Sequence, residues 1–135
     1  MANTVVTQIA TSYTPPAAPT NSGAPTFVLQ ASYNAQQVGA IDVPSGTAPA
    51  TVFNVAFGYV GKVKLFMVKN NMTSDIDVKI NGSTDPIFTL PPGGMFMYSC
   101  PVDPSTGTHP LVSASCTTLV SPTNLEQIQT WVFGD

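Results

Sequence analysis

Charge is what this sequence has least of. Asp, Glu, Lys and Arg make up 8% of its 135 residues, whereas an ordinary soluble domain carries about 25%. There is no arginine, Glu126 is the only glutamate, and all the lysines lie between Lys62 and Lys79. A face that binds DNA or RNA phosphates needs clustered basic side chains. With a net charge of −3, the composition argues against a nucleic-acid partner.

Long apolar runs and cysteines are also scarce. The longest runs, such as Leu65–Val68, are far shorter than the ~20 apolar residues that a membrane-spanning helix needs. Cys100 and Cys116 are the only cysteines, and neither belongs to a CxxC motif. The sequence therefore predicts no membrane span and no zinc site. The two cysteines suit either buried thiols or a disulfide between neighbouring strands.

The residues that carry catalysis or bind metals are few and scattered. His109 is the only histidine, and no acidic residue stands beside it to orient it as a general base. Asp75 and Asp77 could begin a calcium site, but the spacing of an EF-hand is absent. The loop carboxylates that could complete such a site are Asp42, Asp85 and Asp103. We therefore predict no enzyme, no cofactor and no metal, with Asp75 and Asp77 on the solvent face of a strand.

What the sequence does contain is a mixture of Thr, Ser, Asn and Gln with 13 prolines and 10 glycines, which favours strands and turns. Short β-prone segments alternate with turn residues from Phe27 onward. The candidate strands are Phe27–Tyr33, Val38–Val43, Thr51–Phe57, Lys62–Asn70, Asp75–Asn81, Ile87–Leu90, Met95–Cys100, Leu111–Leu119 and Ile128–Phe133. Only residues 122–129 resemble a helix. The pattern predicts an all-β fold, a single jelly-roll-like or Greek-key β-sandwich.

The N-terminal region is separated from these strands by a proline-rich stretch. Residues 14–26 cannot form a helix or a central strand, whereas residues 4–13 are β-prone. We predict an extended arm over residues 1–26 and a sandwich domain over residues 27–135. The arm would add a strand to the open sheet edge of a neighbouring protein, although a frayed terminus is the alternative. Its candidate contact residues are Val5, Val6, Ile9 and Tyr13.

The segment from Lys62 to Asn81 has the pattern of a β-hairpin. Pairing Lys69 with Ile76 places six apolar residues on one predicted core face. These residues are Val63, Leu65, Met67, Ile76, Val78 and Ile80. The opposite face then holds Phe66 and Val68 among charged side chains. We predict that both residues contact another subunit, and the alternative is ordinary surface or coverage by a loop.

Two features lie nearer the C-terminus. The segment Leu90-Pro-Pro-Gly-Gly94 predicts a sharp turn into a new strand, because proline fixes φ and glycine tolerates positive φ. Trp131 and Phe133 are further candidate contact residues. Ordinary core packing is the alternative for both, since large aromatic side chains usually supply core area.

These features together resemble a known group of proteins. The hairpin Val63–Ile80, the turn Leu90–Gly94 and the ending Trp131–Asp135 are similar to small β-sandwich virion proteins of tailed bacteriophages. That group includes capsid decoration or cement proteins and related head and tail accessory proteins. The resemblance covers roughly residues 60–135 and transfers no residue-level role.

The resemblance implies a non-enzymatic structural protein of the virion, assembled in the host cytoplasm. Such a protein would bind as a dimer or trimer between major capsid proteins and stabilise the shell. The N-terminus has no signal-peptide pattern, in keeping with assembly in the cytoplasm. Two alternatives stay open: a tail, neck or fibre protein with the same domain, and a glycan-binding β-sandwich with exposed aromatic residues such as Tyr59 or Tyr98.

Overall fold

The computed structural model describes residues 3–10, 26–100 and 110–135, and for residues 7–10 and 26–31 it describes the backbone alone. Within these ranges there are ten strands and no helix, so the all-β prediction is confirmed. The strands are β1 (Asn3–Ala10), β2 (Thr26–Tyr33), β3 (Ala35–Val43), β4 (Val52–Asn54), β5 (Val63–Asn70), β6 (Ile76–Ile80), β7 (Phe88–Leu90), β8 (Met95–Ser99), β9 (Ala114–Thr118) and β10 (Glu126–Gly134). None of the described segments is a helix able to cross a membrane.

Eight of the strands form two antiparallel sheets. The first sheet has the order β3-β10-β5-β8 and the second has the order β4-β9-β6-β7. Their facing side chains form one continuous hydrophobic core, and sheets packed in this way define an antiparallel β-sandwich. The region that resembled a helix in the sequence, residues 122–129, contains instead a loop and the start of β10.

Phe66 lies in the core between the two sheets. Its side chain is 0% exposed, and its ring centroid lies 6.1 Å from those of both Phe57 and Phe96. Val68, two residues further along β5, is also fully buried. The prediction that Phe66 and Val68 lie on an outer, solvent-facing side is therefore wrong, and neither side chain is available for contact with another subunit.

The cause of this error is that β5 and β6 do not form a hairpin. β5 pairs with β10 and β8, whereas β6 pairs with β7 and β9 in the second sheet. The connection over residues 71–75 crosses from one sheet to the other, so the predicted pairing of Lys69 with Ile76 does not occur. Because a central strand such as β5 carries apolar residues on both faces, alternation alone did not identify its core side.

The turn predicted at Leu90–Gly94 is confirmed. β7 ends at Leu90 and β8 begins at Met95, so the turn joins the second sheet to the first. The amide of Gly94 donates to the carbonyl of Pro91 at 2.8 Å, and Gly93 has a φ of +76°, which a side chain rarely tolerates.

The N-terminal strand has a partner within its own chain. β1 pairs antiparallel with β2, from Asn3 opposite Tyr33 to Ala10 opposite Thr26, and the two form a separate two-stranded sheet. Residues 3–10, which the sequence analysis assigned to an arm that pairs with a neighbouring protein, thus pair with a strand of their own chain. A long connection between paired strands adds little entropic cost, so the proline-rich stretch did not prevent the pairing.

The two cysteines do not form a disulfide. Cys116 lies in β9 with its side chain in the core, and burial raises the pKa of its thiol to about 12. Of the two arrangements that the sequence allowed, the structure contains separate thiols.

Candidate interaction surfaces

The outer faces of the two sheets differ in chemistry. The strands of the second sheet turn mainly polar side chains to its outer face, where Thr89 donates a hydrogen bond to Asp77 at 2.6 Å and Lys79 donates to the carbonyl of Thr84 at 2.8 Å. The residues that the strand register places there are Val52, Asn54, Asp77, Lys79, Thr89, Ser115 and Thr117. Such a face is suited to water.

An apolar band crosses the outer face of the first sheet. Strand pairing places Val38 opposite Trp131, Trp131 opposite Met67, and Met67 opposite Met97, so one row of apolar side chains crosses all four strands. Met95 lies two residues from Met97 on the same face. We call these residues the apolar face: Val38, Met67, Met95, Met97 and Trp131. Val38 is 50% exposed and Met95 is 53% exposed, and the other three are half-buried.

The next row on this outer face is covered by the N-terminal hairpin. Phe133 and Leu65 lie opposite each other and are both buried, yet neither belongs to the core between the sheets. The ring of Tyr33, at the end of β2, meets Phe133 edge to face with centroids 5.0 Å apart. The hairpin therefore covers one end of the outer face and, among the described residues, leaves the apolar face open.

Polar contacts attach the base of the hairpin to the sandwich. Lys64 donates to the carbonyl of Ser32 at 2.9 Å and pairs with Asp135 at 2.5 Å. The same carboxylate accepts from the side-chain amide of Asn34 at 3.1 Å. The hydrogen bond from Lys64 is the main reason why the pKa of Asp135 is lowered. The base of the hairpin is thus fixed at one end of the first sheet.

The predicted contact residues whose side chains are described do not lie together at one site. Trp131 lies on the apolar face and Phe133 lies beneath Tyr33 on the same outer side. In β1, Val5 is half-buried and Val6 is exposed. Only the backbone of Ile9 is described, and Tyr13 lies outside the described residues.

Sequence reasoning missed three methionines and Val38. Each occupies an alternating position in its strand, such as Met95 and Met97 in β8 or Leu65 and Met67 in β5. That alternation was visible in the sequence, but the face it defines became clear only once β10 was known to lie between β3 and β5. The order of strands in a sheet depends on contacts between residues far apart in the sequence, which local patterns do not reveal.

The candidate chemical groups that the structure describes do not gather at one place. His109 and Asp103 lie outside the described residues. In residues 3–10, 26–100 and 110–135 no three His, Cys, Asp or Glu side chains gather into a group that could hold a metal ion.

The chain matches no protein family, and neither curated proteins nor solved structures contain a match to it. Its class is defined by the fold alone, an antiparallel β-sandwich of two four-stranded sheets with a separate N-terminal hairpin.

Proposed function

We propose that the chain is a structural subunit of a virion, most specifically a capsid decoration or cement protein that binds between major capsid proteins and stabilises the shell. The observation that supports this most is the apolar face, which crosses the whole first sheet while the second sheet presents polar side chains. A continuous apolar area on one side of a small domain is typical of a protein-binding surface. Trp131 at its centre is a residue type common among dominant interface contacts.

The low charge content is consistent with this role. Charged residues are depleted in the centres of protein interfaces, whereas aromatic residues and methionine are enriched there. The apolar face contains three methionines and a tryptophan, and Lys69 is the charged residue that strand pairing places next to it, opposite Met95. In this proposal, burial of the apolar face against shell proteins supplies the binding free energy.

A binding experiment with matched variants tests the proposal. The wild-type chain and a variant with Met95→Asp and Met97→Ser would be mixed with shells purified from the source of the gene and sedimented. We expect the variant to bind with an affinity lower by roughly tenfold or more, because loss of a dominant contact removes at least ~1.4 kcal/mol of binding free energy.

The control variant replaces exposed apolar side chains that lie on other surfaces, again with one Asp and one Ser. Val52→Asp with Val112→Ser changes side chains that are 54% and 64% exposed and that lie outside the apolar face. This variant should bind like the wild type. Absence of binding by the wild-type chain, or equal binding by all three proteins, would contradict the proposal.

A glycan-binding module is a second candidate, favoured by one observation. Tyr59 is 99% exposed in the loop between β4 and β5, where its ring could stack on a sugar. Tyr98 is less suited, because its ring packs against the core and burial is the main cause that raises the pKa of its hydroxyl. Saturable binding to a glycan array that is lost in Tyr59→Ala would favour this candidate.

Locating the protein on intact particles by electron microscopy would distinguish a shell role from a tail, neck or fibre role.

A further inference from the structure

β3 is an open edge of the first sheet. It spans nine residues and pairs with β10 on one side only. A strand at a sheet edge presents unpaired amide and carbonyl groups that can bind another strand. Soluble proteins usually protect such edges with charged side chains, lysine above all, or with proline, a bulge or a short strand. β3 has a single charged residue, Asp42, and no lysine or proline, and its register with β10 runs without a shift.

The other edges of the sandwich are shorter. β4 and β7, the edges of the second sheet, have three residues each, and β8 has five. β3 is therefore the longest edge that the sandwich offers to a partner strand. In the part of the chain that the structure describes, no other segment pairs with its open side.

We propose that β3 pairs antiparallel with β3 of a second copy of this chain, about a two-fold axis at Gly39. This inference rests on the proposed function, because it takes the chain to be a subunit of an assembly. It adds a second copy of the chain as one partner. The nine-residue strands would form about eight new backbone hydrogen bonds, since every second residue pair exchanges two. The two first sheets would become one continuous eight-stranded sheet.

The side chains of β3 are self-complementary in this register. On the outer face Val38 meets Ala40 of the second copy, and Gln36 meets Asp42. A register centred on Asp42 would instead place two carboxylates opposite each other, which is unfavourable. Because Val38 belongs to the apolar face, the apolar faces of the two copies would join across the axis. An interface that uses the same patch on both copies closes into a dimer.

The test is the mass in solution by analytical ultracentrifugation over a range of concentrations, with charge variants at Gln36. The wild type should reach twice the 14.1 kDa chain mass. Gln36→Glu places two pairs of like charges in the dimer, and Gln36→Lys places two pairs of opposite charges there. We expect the dimer dissociation constants of these two variants to differ roughly tenfold, with Gln36→Glu the weaker dimer.

Gly39→Lys places two lysines face to face across the axis and should yield a monomer. The strand itself has room for this side chain, because a Cβ at this position meets nothing closer than the Gln37 amide at 4.0 Å.

Matched controls are Ser121→Glu and Ser121→Lys, at an exposed loop position, which change the net charge equally and should leave the dissociation constant unchanged. A monomer at every concentration would overturn the inference. So would a dimer insensitive to Gln36, or larger oligomers that assemble through the edges of β1 and β2. A wild-type chain that stays monomeric but still binds shells would refute this inference alone, because the variants that test shell binding lie on β8.

Discussion

Phe66→Ala is expected to lower the free energy of unfolding by about 3–5 kcal/mol, the usual cost of truncating a buried phenylalanine. The ring is fully buried and packs between Phe57, in the loop after β4, and Phe96 of β8. Since a domain of this size is stable by only about 5–15 kcal/mol, the variant should be close to the limit of folding.

Urea unfolding followed by tryptophan fluorescence measures this loss, with Phe88→Ala as the control. Phe88 is also aromatic and lies 5.4 Å from Phe96, but its side chain is 53% exposed, so its truncation should cost clearly less. Equal midpoints for the two variants would contradict the central position of Phe66 in the core.

Asn70→Leu is the second substitution with a large expected effect. The side chain of Asn70 is 0% exposed and makes three hydrogen bonds to backbone groups. Its amide donates to the carbonyls of Ser74 and Leu90 at 2.8 and 2.9 Å, and its carbonyl oxygen accepts from the amide of Met72 at 2.9 Å. One side chain thus joins the end of β5, the crossover to β6 and the end of β7.

Leucine is similar in size but leaves those three backbone groups without this partner. A buried polar group left unsatisfied costs about 1–3 kcal/mol, so we expect a total loss of at least about 3 kcal/mol. Asn54→Leu, an exposed asparagine on the outer face of the second sheet, is the control and should change stability little. An unfolding midpoint for Asn70→Leu equal to that of the wild type would contradict this role.

The sequence predicted the fold class because strand-forming segments and turn residues are local signals. The turn at Leu90–Gly94 could be predicted in detail, since two prolines and two glycines restrict the backbone strongly. Most strands were found within a few residues of their observed bounds. Phe27–Tyr33 was also found as a strand, although it pairs with β1 and belongs to neither sheet of the sandwich.

Strand partners could not be predicted, and the errors at Phe66 and Val68 follow from that. Neighbouring strands in a chain often pair, so β5 and β6 were expected to form a hairpin. The crossover at residues 71–75 instead sends them to different sheets, and β5 becomes a strand with apolar side chains on both faces. Its outer side is partly covered by the N-terminal hairpin, a long-range contact that no local pattern indicates.

The candidate surface was found in part. Trp131 and Phe133 were named from the sequence, and both lie on the outer side of the first sheet. The methionines beside Trp131 were assigned to the core or not considered, because their exposure depends on which strands flank β10. The row crosses all four strands of the first sheet, and only the strand register reveals it.

Oxidative footprinting of methionine on the assembled particle tests the central claim most directly. Met95 is half exposed, whereas Met72 is 2% exposed and serves as an internal control. Exposed methionine oxidises readily to the sulfoxide, and burial in an interface protects it. We expect Met95 and Met97 to oxidise in the isolated protein and to be protected roughly tenfold on the particle, with Met72 unchanged. Equal oxidation of Met95 in the free and particle-bound protein would contradict an interface at the apolar face.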